Sequence, residues 1–207
     1  MIDSLVAQLE KAAAIQLKLV DIEGESIDRN WQDTEQGYAV MTFHRPSNVD
    51  DQAALGALVE QWIKTAELLP VIFPIHPRTQ NMLEQFGLLD ELRSAPNIYL
   101  TGPLAYLEFL KLVSESALVI TDSGGIQEET TYLKIPCLTV RPTTERPVTI
   151  WEGSNQLIKA EEIYTKAVEC LGSSKASFRI PKYWEGQSAG RIVGLLESFA
   201  DSSESND

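Results

Sequence analysis

The sequence is short of the residues that most often announce chemistry by themselves. Among 207 residues there are two cysteines, Cys137 and Cys170, and two histidines, His44 and His76. The cysteines form no Cys-x-x-Cys pair and have no histidine close by, which argues against a zinc site or a disulfide framework and leaves them as reduced core thiols. No metal and no other cofactor is expected. No apolar run reaches the roughly 18 residues of a membrane span, and the N-terminus lacks a basic region followed by an apolar one. The expectation is a soluble, cytoplasmic protein with no membrane partner. Basic residues are scarce too: 17 Lys and Arg against 30 Asp and Glu leave a net charge of −13. A surface of that sign repels a phosphate backbone, so nucleic acid is excluded as a partner, although a local site could still hold a small phosphate ligand.

What is present suits one folded domain over residues 1–207, since 43% of the chain is hydrophobic. Ile2, Leu5, Val6, Leu9, Ala12, Ala13 and Leu17 recur at spacings of three and four, which predicts an amphipathic helix over 2–16. The polar residues 23–36 look like a loop. From Gly37 short apolar runs alternate with helical patterns: YAVMTFH then 51–69, VIFPIH then 79–89, NIYLTG then 103–116. ALVITD, PCLTVR and NQLIK continue the series, with helices at 124–134, near 146–152 and at 161–172. Runs that are apolar at successive positions fit strands covered on both faces, and strands separated by helices imply a parallel sheet. The fold class is therefore α/β, a doubly wound, Rossmann-like parallel sheet of about six strands. A last helix over 187–200 carries Ile192, Val193, Leu195 and Leu196 on one side, and the acidic residues 201–207 read as a frayed tail.

In such a sheet ligands bind where strands end and helices begin. Three strand ends qualify. In TFHRPSN, His44 and Arg45 can both donate to phosphate oxygens, His44 can also move a proton near neutral pH, and Asn48, Asp50 or Asp51 can cap the following helix. A surface His-Arg pair of no function fits the same residues. In IHPRT, His76 and Arg78 end the next strand, where a histidine bonded to loop backbone before a proline turn is the plainer reading.

In TDSGGIQEE, residues Ser123, Gly124 and Gly125 separate a buried strand from a helix start, so a phosphate could approach unpaired backbone N–H groups. This is neither Gly-x-Gly-x-x-Gly nor a Walker loop. The helix dipole favours Glu128 and Glu129 whether or not they bind anything, but that does not account for two glycines, which cost roughly 1 kcal/mol each within a helix. A fourth segment, RPTTERPVTIWEGSN, carries Arg141, Glu145 and Arg146 and is compatible with a site or with an ordinary charged loop. Phe109 lies in PLAYLEFLKLV, most of whose apolar stripe belongs to the core.

Taken together and in this order, FHRPSN, PIHP, PLAYLEF, TDSGGIQEE, TTERPVTIWEGSN and the final KYWEGQSAGRI resemble the non-hydrolysing UDP-N-acetylglucosamine 2-epimerase family over essentially the whole chain. That resemblance implies the C-terminal half of a glycosyltransferase-B-type fold of two Rossmann-like domains, with substrate in the cleft between them. It implies that Ser123, Gly124 and Gly125 receive the diphosphate, Glu129 bonds the ribose hydroxyls, and the segment around Phe109 holds the uracil. It places His44 by the phosphates, as substrate-binding and catalytic residue, and gives Arg146 a further contact with the nucleotide-sugar. His76, with Arg45 nearby, corresponds to a possible effector site for a second nucleotide-sugar.

The resemblance further implies interconversion of UDP-GlcNAc and UDP-ManNAc by elimination and re-addition of UDP, without NAD or metal. Ser47, Leu104 and the pair Lys134-Ile135 depart from the family pattern, and the first two border the site. The N-terminal domain that carries the acid and base carboxylates has no counterpart in the sequence, so a fragment is expected that binds UDP or a UDP-sugar without turnover. Its partner would be the missing domain or a second copy of itself. The alternatives are the donor-binding domain of a glycosyltransferase and a non-catalytic interaction module.

Overall fold

The computed structural model describes residues 1–32, 34–173 and 177–204. Six strands form one parallel sheet: β1 (Ala39–Thr42), β2 (Val71–Pro74), β3 (Ile98–Thr101), β4 (Leu118–Thr121), β5 (Cys137–Val140) and β6 (Asn155–Ile158). Their order is β3-β2-β1-β4-β5-β6. The chain thus builds outward from β1 in one direction, returns, and builds outward in the other, as in dinucleotide-binding folds. The helices are α1 (Ile2–Ala13), α2 (Pro46–Val49), α3 (Gln52–Ala66), α4 (Pro77–Gln85), α5 (Leu89–Ser94), α6 (Tyr106–Ser114), α7 (Gly124–Leu133), α8 (Val148–Trp151), α9 (Ile163–Leu171) and α10 (Ser188–Glu204).

The continuous apolar character of the strands follows from burial on both faces. Met41, Phe43, Phe73, Ile120 and Leu138 point into one core with Trp62 of α3, Leu83 of α4, Leu92 of α5 and Ala167 of α9. Their immediate neighbours Val40, Ile72, Val119 and Cys137 point into the other, against Leu112 and Val113 of α6 and Ile126 of α7. Successive strand residues face opposite ways, so both members of each pair must be apolar. Trp62 packs against the rings of Phe43 at 4.9 Å and Phe73 at 5.1 Å. Cys137 and Cys170 are buried and unpaired.

Several elements differ from the sequence expectation. The first helix stops at Ala13, and the chain turns so that Leu17 and Leu19 can enter the core. Residues 23–36 are not plain loop: Val20 and Ser26 form an antiparallel bridge, and a 3-10 turn at Arg29–Gln32 sinks Trp31 against Tyr38. The segment expected as one helix over 79–89 is two, α4 and α5, separated by Gly87 at φ 70°. Helix α10 continues past the expected end to Glu204, while 205–207 lie outside the described residues. Its apolar side is exposed at Ile192, Val193, Leu195 and Leu196.

Candidate functional site

Strands β1 and β4 are neighbours in the sheet, yet the chain leaves β1 for β2 on one side and β4 for β5 on the other. Their C-terminal ends therefore open a crevice at the point where the winding reverses. Thr42 and Thr121 are level in the register, so His44 and Asp122 emerge side by side.

Asp122 is fully buried, with 0% exposure. Its carboxylate accepts from the backbone N–H of Arg45 at 2.9 Å, from that of His44 at 3.1 Å and from Asn48 Nδ2 at 3.0 Å. His44 Nδ1 lies 3.0 Å from Asp122 Oδ1. Burial alone would push this carboxyl upward, but the hydrogen bonds from His44, Arg45 and Asn48 prevail and hold it below the usual range. With Nδ1 committed to Asp122, Nε2 is the nitrogen of His44 left for a ligand. Arg45 Nε donates to the Asp122 carbonyl at 2.8 Å, and Asn48 Nδ2 also reaches the Val140 carbonyl, tying the ends of β1, β4 and β5 together.

Immediately after Asp122, helix α7 begins at Gly124 with Ser123 as N-cap. Ser123 provides no side-chain cap; its own N–H donates to Thr121 Oγ1. The first-turn N–H groups have no intrahelical partners, and with the positive end of the dipole they form a place for an anion. One turn along, Glu129 is 7% exposed and accepts from the Tyr106 hydroxyl at 3.1 Å. Burial, and then the charge of neighbouring Glu128, raise its pKa. Burial chiefly, with Glu129 beside it, pushes the Tyr106 hydroxyl up to about 12, so tyrosine remains the donor. Glu128 is paired with Arg146, Oε2 to Nε 2.9 Å.

The loop after β5 lies across this helix start. Thr144 donates to Gln127 Oε1 at 2.6 Å, and Asn155 Nδ2 donates to the same oxygen and to Thr149. Thr139 donates to Asn155 Oδ1, completing a buried polar network that fixes residues 144–149 over α7. Arg141 pairs with Glu145, Nη1 to Oε2 2.9 Å.

The residues singled out from sequence fall as follows. His44, Ser123, Gly124, Gly125, Glu129 and Arg146 gather around the β1 and β4 ends and the first turns of α7. Arg45 belongs to the same corner through Asp122. His76 caps α4, accepting from the Arg78 N–H at Nδ1, and its ring lies 5.5 Å from that of His44. Arg78 is paired with Asp50. Phe109 is half-buried and packs on the α6 core, whereas Tyr106, one turn earlier, is the exposed aromatic of that helix and touches Glu129.

Sequence reasoning passed over Asp122, Tyr106, Gln127 and Asn155. Asp122 could have been suspected as a carboxylate ending an apolar strand beside glycines; the other three act through contacts with distant segments and carry no local signal. Among the described residues no cluster of three or more metal-ligating side chains occurs, and no helix is long and apolar enough to cross a membrane.

Comparison with known proteins decides which family has this arrangement. A family model described as UDP-N-acetylglucosamine 2-epimerase matches residues 1–197. The chain belongs to the UDP-N-acetylglucosamine 2-epimerase family. It is 41% identical over 165 residues to the UDP-N-acetylglucosamine 2-epimerase of Methanocaldococcus jannaschii, covering 78% of this chain and 45% of that protein. It is 34% identical to a UDP-2,3-diacetamido-2,3-dideoxy-D-glucuronate 2-epimerase of Pseudomonas aeruginosa, covering 79% of this chain and 45% of that one. Its fold matches the crystal structure of the M. jannaschii epimerase in complex with UDP-GlcNAc and UDP, with a TM-score of 0.74 and 35% identity, over 95% of this chain and 52% of that one. This epimerase-family chain spans about half the length of these relatives.

Proposed function

We propose that this chain is the nucleotide-binding half of an enzyme that interconverts UDP-GlcNAc and UDP-ManNAc by eliminating UDP and adding it back, and that alone it binds UDP without turning over the sugar. The observation that carries this reading is the uncapped start of α7 between two prepared side-chain pairs, His44 with Asp122 and Tyr106 with Glu129. In this reading the diphosphate rests on the N–H groups that follow Ser123, and Glu129 takes the ribose hydroxyls.

The chemistry available here is stabilisation of a leaving group. As the bond from the sugar to UDP breaks, negative charge grows on the diphosphate, where preorganised donors act best. Helix N–H groups, His44 through Nε2, and Arg146 are such donors. His44, held by Asp122, keeps one orientation whether neutral or protonated, and as the imidazolium it donates to a phosphate oxygen. The general acid and base that exchange the proton at the sugar carbon are assigned to the other half of the enzyme. That half is also the cover proposed for the exposed apolar side of α10, whose N-terminus is fastened to α1 by the Ala189 N–H on Asp3 Oδ2 at 2.9 Å.

The test is a proton NMR assay of the isolated chain with UDP-GlcNAc. No UDP-ManNAc should form, and backbone resonances of residues 122–129 and His44 should shift on addition of UDP. Steady epimerisation by the chain alone, or shifts confined to other surfaces, would contradict the proposal.

A further inference from the structure

We infer that Glu145 is a built-in occupant of the α7 anion site, and that Arg141, which it holds, is a further diphosphate-binding residue, handed over when a nucleoside diphosphate displaces the carboxylate. The inference rests on the nucleotide reading of the site. It begins with the glycine that opens α7. A Cβ added to Gly124 would come within 2.7 Å of Glu145 Oε1 and 3.8 Å of Arg141 Nη1, so a carboxylate oxygen and a guanidinium nitrogen already lie against the first residue of the helix. A negatively charged oxygen thus lies beside the helix start and next to an arginine, the two kinds of group that receive a phosphate oxygen.

The pairing is made to be exchanged. Glu145 Oε2 and Arg141 Nη1 are 2.9 Å apart, yet the buried Nη1 has no well-directed hydrogen bond. The Arg141 side chain is 13% exposed and its partner 47%, so the arginine is set into the protein while the carboxylate sits at the surface. Glu145 is kept ionised, first by its own backbone N–H and then by Arg141. Thr144, the residue before it, is fastened to Gln127. Displacement therefore needs only a rotation of the Glu145 side chain into solvent. A diphosphate, with more charge and more acceptor oxygens than one carboxylate, takes its place against α7 and receives Arg141.

The contest is measured by calorimetric titration of UDP into the whole chain and three variants. Glu145→Gln removes the competing charge and should bind UDP roughly two- to fivefold more tightly, the size of one carboxylate's interaction with a helix start. Glu60→Gln removes the same charge from an exposed position on α3 and should leave affinity unchanged. Arg141→Met should weaken binding at least about tenfold, as loss of a charged hydrogen bond to phosphate requires. Should that variant misfold, the exposed Glu145→Gln carries the test. Equal or weaker binding by Glu145→Gln, or an equal gain from Glu60→Gln, overturns this inference alone. Absence of UDP binding by every protein overturns both it and the nucleotide reading beneath it.

Discussion

A carboxylate with no exposed surface survives in an ionised state only if donors surround it, and Asp122 has four. Asp122→Asn keeps the shape but turns an NH2 group toward donors, which should cost about 2–4 kcal/mol in denaturant unfolding at pH 7. The pH dependence follows from the lowered pKa. A folded value below the unfolded one of about 4 gives a contribution fully present above that pH and lost as pH falls through the folded value. Wild type should therefore lose stability below about pH 4 more steeply than Asp122→Asn. Parallel acid limbs would count against an ionised Asp122 in the folded protein.

Glu129 has the opposite sign. Its raised pKa means that its contribution is favourable below the unfolded value and lost as pH rises through the folded one, so at pH 7 the buried charge is a burden. Glu129→Gln can still accept from Tyr106. It should stabilise the free chain by about 0.5–1 kcal/mol at pH 7, an advantage that fades toward pH 4, while weakening UDP binding. A variant less stable than wild type at pH 7 would show that the carboxylate serves the fold and not the proposed ligand.

Among the elements, α7 is where local sequence and tertiary demand conflict. It ends at Lys134 in the left-handed region, φ 55°, a conformation that glycine adopts without strain. Lys134→Gly should stabilise the protein by about 0.5–1 kcal/mol, visible as a higher melting temperature, and leave ligand binding untouched. Between α8 and β6, Gly153 leaves no room for a side chain: an added Cβ would fall 2.5 Å from the Thr149 carbonyl oxygen. Gly153→Ala should cost about 1–3 kcal/mol by forcing that backbone apart.

The sheet was legible because each strand is buried on both faces, which leaves a continuous apolar run, and TDSGGIQEE was legible because glycines at a helix start need a reason. Helix α5 was not, being only six residues and separated from α4 by a turn at Gly87. Tyr106 was missed because what distinguishes it is a partner 23 residues away, whereas Asp122 showed a local sign, a carboxylate between an apolar strand and glycines, but its donors lie up to 78 residues away. TDSGGIQEE was also incomplete as a description of its site: Glu128, beside the carboxylate assigned to ribose, is occupied by Arg146.

For the whole molecule, the most telling feature is the apolar side of the last helix, which periodicity described and which lies exposed. Ile192, Val193, Leu195 and Leu196 make an apolar side on α10, but Val193 is 52% and Leu196 63% exposed. Such a stripe on a helix predicts cover, and the chain spans about half the length of its relatives. If the other half is that cover, Leu196→Ser should alter the stability of this chain by no more than about 0.5 kcal/mol, because the Leu196 side chain is largely exposed. The same substitution should weaken association with a separately expressed N-terminal half; unimpaired association would exclude α10 from that interface.

The claim on which the rest depends is that the crevice beyond β1 and β4 holds UDP, with Glu129 as one of its ligands. Calorimetric titration of UDP into the wild-type chain and into Glu129→Ala tests it directly. The wild type should bind saturably and the variant more weakly by about tenfold or more, as expected when a buried acceptor of ligand hydroxyls is removed. No binding by the wild type, or equal affinity in the two proteins, would contradict it.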